Sequence, residues 1–201
     1  MSIDRRQLIV EAAAKSFALF GYKATTMEQI AKLANVGKGT IYTFFTNKEE
    51  LFQEVLDRLI REMKQVAEET FDPDRRFFDN LYLVLDRLLD YRERHELVLK
   101  LSQEVRETNV QMALGAIRRI EQEIVGYTRM QVQRAMDKGE IKPCDPEITS
   151  FVILKLFLAL TADWTKFHEP LGKERIAELL RMYLQEGLAP VQPEAFFYSM
   201  D

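Results

Sequence analysis

The chain has 201 residues, enough for one domain or two small ones, and its 47% apolar and 30% charged composition is that of a soluble globular protein able to bury a core. A single cysteine, Cys144, excludes an internal disulfide and fits a reducing cytoplasm, where a plain loop cysteine is a commoner role than a redox thiol. The net charge of −4 hides an asymmetry: residues 1–52 hold seven Lys/Arg against five Asp/Glu, the remainder 21 against 27, which suits a protein that meets nucleic acid at one end and excludes one that coats it.

The first helix is predicted over Asp4–Phe20, capped by Asp4, with Ile9, Ala13, Phe17 and Phe20 as its inward stripe and Gly21 as its stop. Glu11 and Lys15 interrupt Ile9–Phe20, so no signal peptide is expected there. Thr26 then caps a second helix, with Gln29 placed to complete a capping box. Met27, Ile30, Ala31 and Ala34 follow at i, i+3, i+4 and i+7. Asn35 suits a turn that needs positive φ, and Val36 plugs the space after it. A third helix, Gly37–Phe45, turns Ile41 and Phe45 inward and leaves Lys38, Tyr42 and Thr43 outward. That outward set suits a major groove: Lys for guanine or phosphate, hydroxyls for phosphate oxygens. Gly37 and Gly39 remove side chains that would hold the backbone off DNA. Asn47 caps the next helix with Glu50 at N3, and Lys48 is expected exposed at its start. The pattern is a helix-turn-helix. Its core of Ile9, Phe17, Phe20, Ile30, Ala31, Ile41 and Phe45 is small enough to need support from the helix that follows.

Four motifs in order, F-x-x-x-G-Y from Phe17, T-T-M-E-x-I-A from Thr25, V-x-K-G-T-I-Y-x-F-F from Val36 and N-K-E-E-L from Asn47, resemble the DNA-binding domain of the TetR/AcrR family of bacterial repressors, over about the first quarter of the chain. Two positions depart from that pattern. Asn35 stands where Gly is common, and Gly37 stands where Ser usually caps the recognition helix; the second change costs a few tenths of a kcal/mol and removes a hydroxyl. The resemblance implies that the third helix lies in the major groove while neighbouring groups clamp phosphates. Carried over by position, Lys38, Thr40 and Tyr42 lead the contacts. Thr26, Met27 through its backbone N–H, and Lys48 are phosphate contacts. Thr43 and Phe44 reach base edges, Phe44 against a thymine methyl. For Phe44 core packing is an equally open reading, and for Tyr42 a plain surface tyrosine is the alternative.

The fourth helix, Asn47 to about Thr70, carries Leu51, Phe52, Val55, Leu56, Leu59, Ile60, Met63 and Val66 on one wide face. Further helices are expected over Arg75–Arg94, Glu96–Glu107 and Val110–Asp137. Pro146–His168, capped by Asp145, is apolar on almost every side and so is expected to be buried on more than one face. Its longest apolar run, Phe151–Ala162, is interrupted by Lys155 and judged too short to span a bilayer, so no membrane segment is expected. A last helix, Lys173–Glu186, has Ile176, Leu179, Leu180, Tyr183 and Leu184 in one stripe and Gly187 as its end. Phe196-Phe-Tyr198 in the tail is expected to dock on the body. No β pattern appears. The expectation is an all-α protein of about nine helices, with a helix-turn-helix head over 1–48 and a ligand-binding and dimerisation body over 49–201.

The resemblance further implies a small-molecule pocket among the middle helices of the body. Met63, Tyr82, Met112, Tyr127, Phe157 and Trp164 would suit an apolar or aromatic effector, although each is more commonly plain core. Lys155 would neutralise an acidic ligand if it faced that pocket; the favoured reading is that it snorkels to solvent or an interface rim. His95 and His168 are far apart, and Asp163, His168 and Glu169 lack metal-ligand spacing, so no metal site, cofactor or enzyme activity is expected. The expected partners are double-stranded operator DNA, a second copy in a homodimer joined through Pro146–His168 and Lys173–Glu186, and an effector of unknown identity, all in the cytoplasm. Two alternatives stand: a constitutive or activating DNA binder with a filled body, and a helical ligand carrier without DNA binding.

Overall fold

The computed structural model describes residues 4–90, 92–108 and 110–188, with the side chains of all of these except 90, 92–95, 105–108 and 188. The tail containing Phe196-Phe-Tyr198 and the His95 side chain lie outside the described residues. Among the described residues helix follows helix with no strand: α1 Arg5–Ala24, α2 Met27–Leu33, α3 Lys38–Tyr42, α4 Lys48–Thr70, α5 Phe77–Asp90, α6 Arg92–Thr108, α7 Gln111–Asp137, α8 Pro146–Leu158 and α9 Lys173–Leu180. The chain divides into two compact units, Met1–Glu69 with Asp90–Glu121, and Thr70–Leu89 with Gln122–Asp201. The boundary expected at 48/49 falls at the start of α4, and the first unit runs past it to take in almost all of α4 together with α6.

In the first unit the Asp4 carboxylate accepts from the N–H of Arg6 at 3.0 Å and of Gln7 at 3.3 Å, which opens α1. Ile9, Ala13 and Phe17 are buried as the stripe requires. Phe20 is not: it is 49% exposed. Gly21 breaks the helical path at φ 81°, ψ 172°, so the inner position one turn beyond Phe17 goes to Tyr22. The Tyr22 ring stacks on Phe17 at 5.9 Å and meets Phe52 edge-on at 4.9 Å. Phe52 also meets Phe17 edge-on at 5.0 Å, and with Leu51, Val55 and Leu56 it supplies from α4 the core that the three short helices lack. Met63, by contrast with its neighbours on that face, is only half-buried.

Arg6 of α1 donates to Glu54 of α4 at 2.6 Å, and this contact holds the Glu54 carboxyl below the usual carboxylate range. A carboxylate with a depressed folded-state pKa stabilises the fold above its unfolded pKa, and the contribution disappears as pH falls through the folded value. Both side chains are partly exposed, so the effect is about 0.5–1 kcal/mol. The expected result is that Glu54→Gln lowers the urea midpoint at pH 7 and leaves it unchanged at pH 2–3. An equal loss at both pH values would assign the effect to packing instead.

The second unit is organised around α5, the part of α7 from Gln122, α8 and α9, whose Phe77, Phe78, Leu85, Val132, Ala135, Ile153, Phe157, Ile176 and Leu180 form one core with Ile141 and with Leu184 from the turn after α9. Asp145 accepts from the N–H of Glu147 and Ile148 to start α8 with Pro146 at its first turn. The α8 path continues through a π turn, Ala159–Asp163, and a 3-10 turn, Trp164–Lys166, in place of the single helix expected to His168. Likewise α9 passes through a π turn, Arg181–Gln185, into Glu186–Leu188, so Gly187 lies inside the last turn instead of ending the helix. The boundary expected between Arg94 and Glu96 is absent: α6 runs without interruption from Arg92 to Thr108.

The stripe of α9 splits. Ile176, Leu180 and Leu184 are buried at intervals of four, whereas Tyr183 points outward with Met182. On α8, Ile153, Leu154 and Phe157 face the core, while Ile148, Phe151 and Val152 are exposed. Pro146–Lys166 spans 21 residues and is, by length and composition, apolar enough to cross a membrane, with 22% of its most apolar window buried. The run expected to be too short, Phe151–Ala162, lies inside this longer helical path.

Candidate nucleic-acid interface

The α2–turn–α3 segment is fixed by its own backbone chemistry. The Thr26 hydroxyl accepts from the N–H of Gln29 at 3.2 Å, and the Gln29 amide oxygen accepts from the N–H of Thr26 at 2.9 Å. This capping box uses the first and last of the four unpaired N–H groups at the helix start and leaves those of Met27 and Glu28. A positive helix end with two donors left over is suited to a phosphate oxygen. At the other end of α2, Asn35 adopts φ 52° and the N–H of Val36 reaches the carbonyl of Ala31 at 3.0 Å, closing the turn.

α3 is shorter than expected, ending at Tyr42, with the N–H of Phe44 and of Phe45 still bonded to Ile41 so that a turn persists to 45. Gly37 opens it with no side-chain cap, which is the consequence anticipated for a glycine there. Ile41 and Phe45 are buried. Tyr42 is 48% exposed and Phe44 39%, so the core-packing reading of Phe44 is not what the structure shows. Lys38 is exposed with its ammonium 3.9 Å from Glu28, a weak surface pair that a phosphate or guanine could replace. Thr40 is half-buried. The Thr43 hydroxyl donates to the Thr40 carbonyl at 2.7 Å, which commits its proton and leaves its lone pairs to accept from a base amino group. A side chain added at Gly39 would meet no atom of this chain within 4 Å. Its absence is not demanded by packing, and it keeps the backbone open to an outside partner.

Lys48 departs from expectation. It is half-buried, not exposed. Its ammonium donates to the carbonyls of Tyr22 at 2.8 Å and Thr25 at 2.9 Å and lies 4.4 Å from the Tyr22 ring centroid. It braces the turn before α2 and has one N–H left. Residue types and spacing gave no sign of this, and none of Glu104, whose carboxylate holds the same turn from 82 residues away.

The residues considered for an effector pocket are not brought together as one group. Met63 and Met112 lie in the first unit, and the Met112 sulfur accepts from the Gln53 amide at 3.5 Å. In the second unit Phe157 belongs to the core, Tyr127 is half-buried, and Trp164 is exposed, stacked on His168 at 3.9 Å. Lys155 is half-buried and places its ammonium 5.2 Å from the ring of the exposed Phe151. Tyr82 packs against the core with its hydroxyl buried and without a hydrogen-bond partner. Burial pushes its pKa up to about 12 against the opposing field of Arg181. Among the described residues no group of three or more His, Cys, Asp or Glu converges to hold a metal ion.

Comparison with known proteins agrees with the geometry of the head. The family described as bacterial regulatory proteins, tetR family, matches residues 9–55. The uncharacterized HTH-type transcriptional regulator YhgD of Bacillus subtilis (strain 168) is 51% identical over 189 residues, covering 94% of this chain and 99% of YhgD. The probable acrEF/envCD operon repressor of Escherichia coli (strain K12) is 28% identical over 175 residues, covering 81% and 77%. In fold, the crystal structure of Escherichia coli NemR in its reduced form superposes with a TM-score of 0.74 at 16% identity, over 89% of this chain and 96% of that one. With a capped α2, a positive-φ turn and an α3 whose polar face looks outward, on a chain half identical to a helix-turn-helix regulator over almost its whole length, this protein belongs to the TetR family of DNA-binding transcriptional regulators.

Proposed function

We propose that the chain is a homodimeric repressor whose two α3 helices read the halves of a near-palindromic operator, about 34 Å or a multiple of it apart. The observation that carries this reading is the division of α3, with Ile41 and Phe45 buried beneath an open face of Lys38, Tyr42 and Phe44. Lys38, Thr40 and Tyr42 contact guanine or phosphate, Thr43 and Phe44 contact base edges, and Thr26 with the Met27 N–H holds a phosphate. Lys48 acts mainly by bracing the turn. The second subunit covers the apolar faces left open on α8 and α9, a role for Pro146–Lys166 that requires no bilayer. The division into a DNA-binding head over 1–48 and a body over 49–201 belongs to the same proposal, as does a cytoplasmic site of action.

A small apolar or amphipathic effector bound in the body releases DNA by favouring a state in which α4 no longer holds the heads in register; only a difference in affinity between the two states drives such a change. The buried, unpartnered Tyr82 hydroxyl supports a ligand that offers a hydrogen-bond acceptor in the second unit. A second reading, a DNA binder without inducer, is favoured by the places of Phe157 in the core and Trp164 on the surface.

Selection of bound duplexes from a random library at about 150 mM salt tests the reading. An enriched near-palindrome is the expected result; no enrichment, before and after refolding to strip bound ligand, would sink it. On the enriched duplex Lys38→Ala should weaken binding by about 1–3 kcal/mol and relax preference at one position of each half-site. Equal loss on enriched and random duplexes would make Lys38 a phosphate contact.

A further inference from the structure

The break at the end of α1 is held by two side chains from distant parts of the first unit. Glu104 of α6 is 8% exposed. Its two carboxylate oxygens accept from the N–H groups of Tyr22 and Lys23, each at 2.8 Å. These successive donors follow Gly21, whose φ of 81° and ψ of 172° turn them into a small concavity suited to an anion. The ammonium of Lys48 takes the carbonyls of Tyr22 and Thr25, and the Thr25 hydroxyl takes the carbonyl of Gly21 at 2.8 Å. A carboxylate on the donors and an ammonium on the acceptors thus fix both kinds of backbone group across five residues. Burying the carboxylate is costly unless it is satisfied in this way. The contact also dictates the residue at 21, because a Cβ there would lie 2.5 Å from a Glu104 oxygen.

The clamped turn ends at Thr26, the cap of α2, and α2 leads directly to α3. Hydrophobic contacts within the head hold α1, α2 and α3 together, but the direction in which the chain leaves α1 is set by the backbone at 21–25. We propose that Glu104 is a positioning residue for DNA recognition: through the N–H groups of Tyr22 and Lys23 it sets the orientation of α2 and α3 that reading a half-site requires. The proposal rests on α3 being the reading helix. It predicts a loss mainly on specific DNA, because base contacts need register whereas phosphate attraction tolerates small rotations.

The test uses the full-length protein and the duplex enriched by the wild-type chain; if the wild type enriches none, the α3 reading has failed and Glu104 is not in question. Glu104→Ala would strand the buried N–H of Tyr22 and the part-buried N–H of Lys23 and risks unfolding, so the near-isosteric Glu104→Gln is the working variant; it keeps one acceptor and sets an NH2 against the second donor. Expected are about tenfold weaker binding of the enriched duplex and about twofold or less on a scrambled duplex of equal length. Amide exchange at Tyr22 and Lys23 should quicken at least about tenfold. Glu104→Asp, which keeps the charge but withdraws it by one carbon–carbon bond, should lose as much as Gln. Wild-type binding by Glu104→Gln, equal losses on both duplexes, unchanged exchange at those two amides, or full rescue by Asp would each overturn the proposal.

Discussion

Phe151→Glu should yield a folded monomer that no longer holds its operator tightly. Ile148 is 62% exposed, and Phe151 and Val152 stand beside it on the outward face of α8. So much apolar surface on one helix is unusual unless a partner covers it. In a two-fold dimer the same face is used twice, so one substitution places two carboxylates in the apolar seam. At several kcal/mol for each buried, unpaired charge, the dimer constant should weaken by roughly a thousandfold or more. Folding of the single chain should suffer little, because the position is on the surface and Lys155, four residues on, already lies over the Phe151 ring and favours a glutamate before it. The operator consequence is larger than the loss of any one base contact. Two linked heads bind with a high effective concentration for the second half-site, and a monomer forfeits about 10²–10⁴ in avidity. Sedimentation velocity should show the monomer and anisotropy titration the lost affinity, with an unchanged circular-dichroism spectrum. A variant that stays dimeric would place the interface on another face.

What the sequence made legible was whatever is written in local spacing. Asp4, Thr26, Asn47 and Asp145 accept from backbone N–H groups within three residues, and Asn35 takes the positive φ of its turn, each as its residue type and position imply. Glu50 does so with a shift, reaching the N–H of Thr46 instead of Asn47. Burial of Phe17, Ile30, Ile41 and Phe45 was likewise readable from period, since one stripe points one way. Phe20 is misplaced by the stripe, and Tyr22 is left without a place by it, because Gly21 breaks the period on which the stripe depends. Lys48 and Glu104 were opaque for a different reason. Their partners are backbone atoms far along the chain, and a lysine or glutamate that binds a carbonyl or N–H leaves no pattern in residue types. The effector residues fared worst: aromatic and thioether side chains satisfy a core and a pocket equally well, and only the fold separates Phe157 inside from Trp164 outside.

Gly21→Ala is expected to be the most damaging single-methyl change in the head, costing about 3–5 kcal/mol. One part is conformational: φ 81° with ψ 172° is a region open essentially to glycine alone, worth about 1–3 kcal/mol against any other residue. The other part is steric and electrostatic. The new Cβ would lie 2.5 Å from a Glu104 oxygen and 2.6 Å from its carboxyl carbon, so the carboxylate must withdraw, leaving the N–H groups of Tyr22 and Lys23 unpaired at about 1–3 kcal/mol for a stranded group. Gly139→Ala separates the two parts. Gly139 also has positive φ, 70°, yet an added Cβ there meets nothing within 4 Å, so its substitution carries backbone strain alone, about 1–2 kcal/mol. Urea unfolding at constant slope should therefore place Gly21→Ala below Gly139→Ala by about 2 kcal/mol. Combining Gly21→Ala with Glu104→Gln should cost less than the sum of the two, since each removes the same contact. Equal midpoints for the two glycine variants, or strict additivity of the pair, would mean that the turn yields without disturbing Glu104, and the glycine would then be kept for its backbone angle alone.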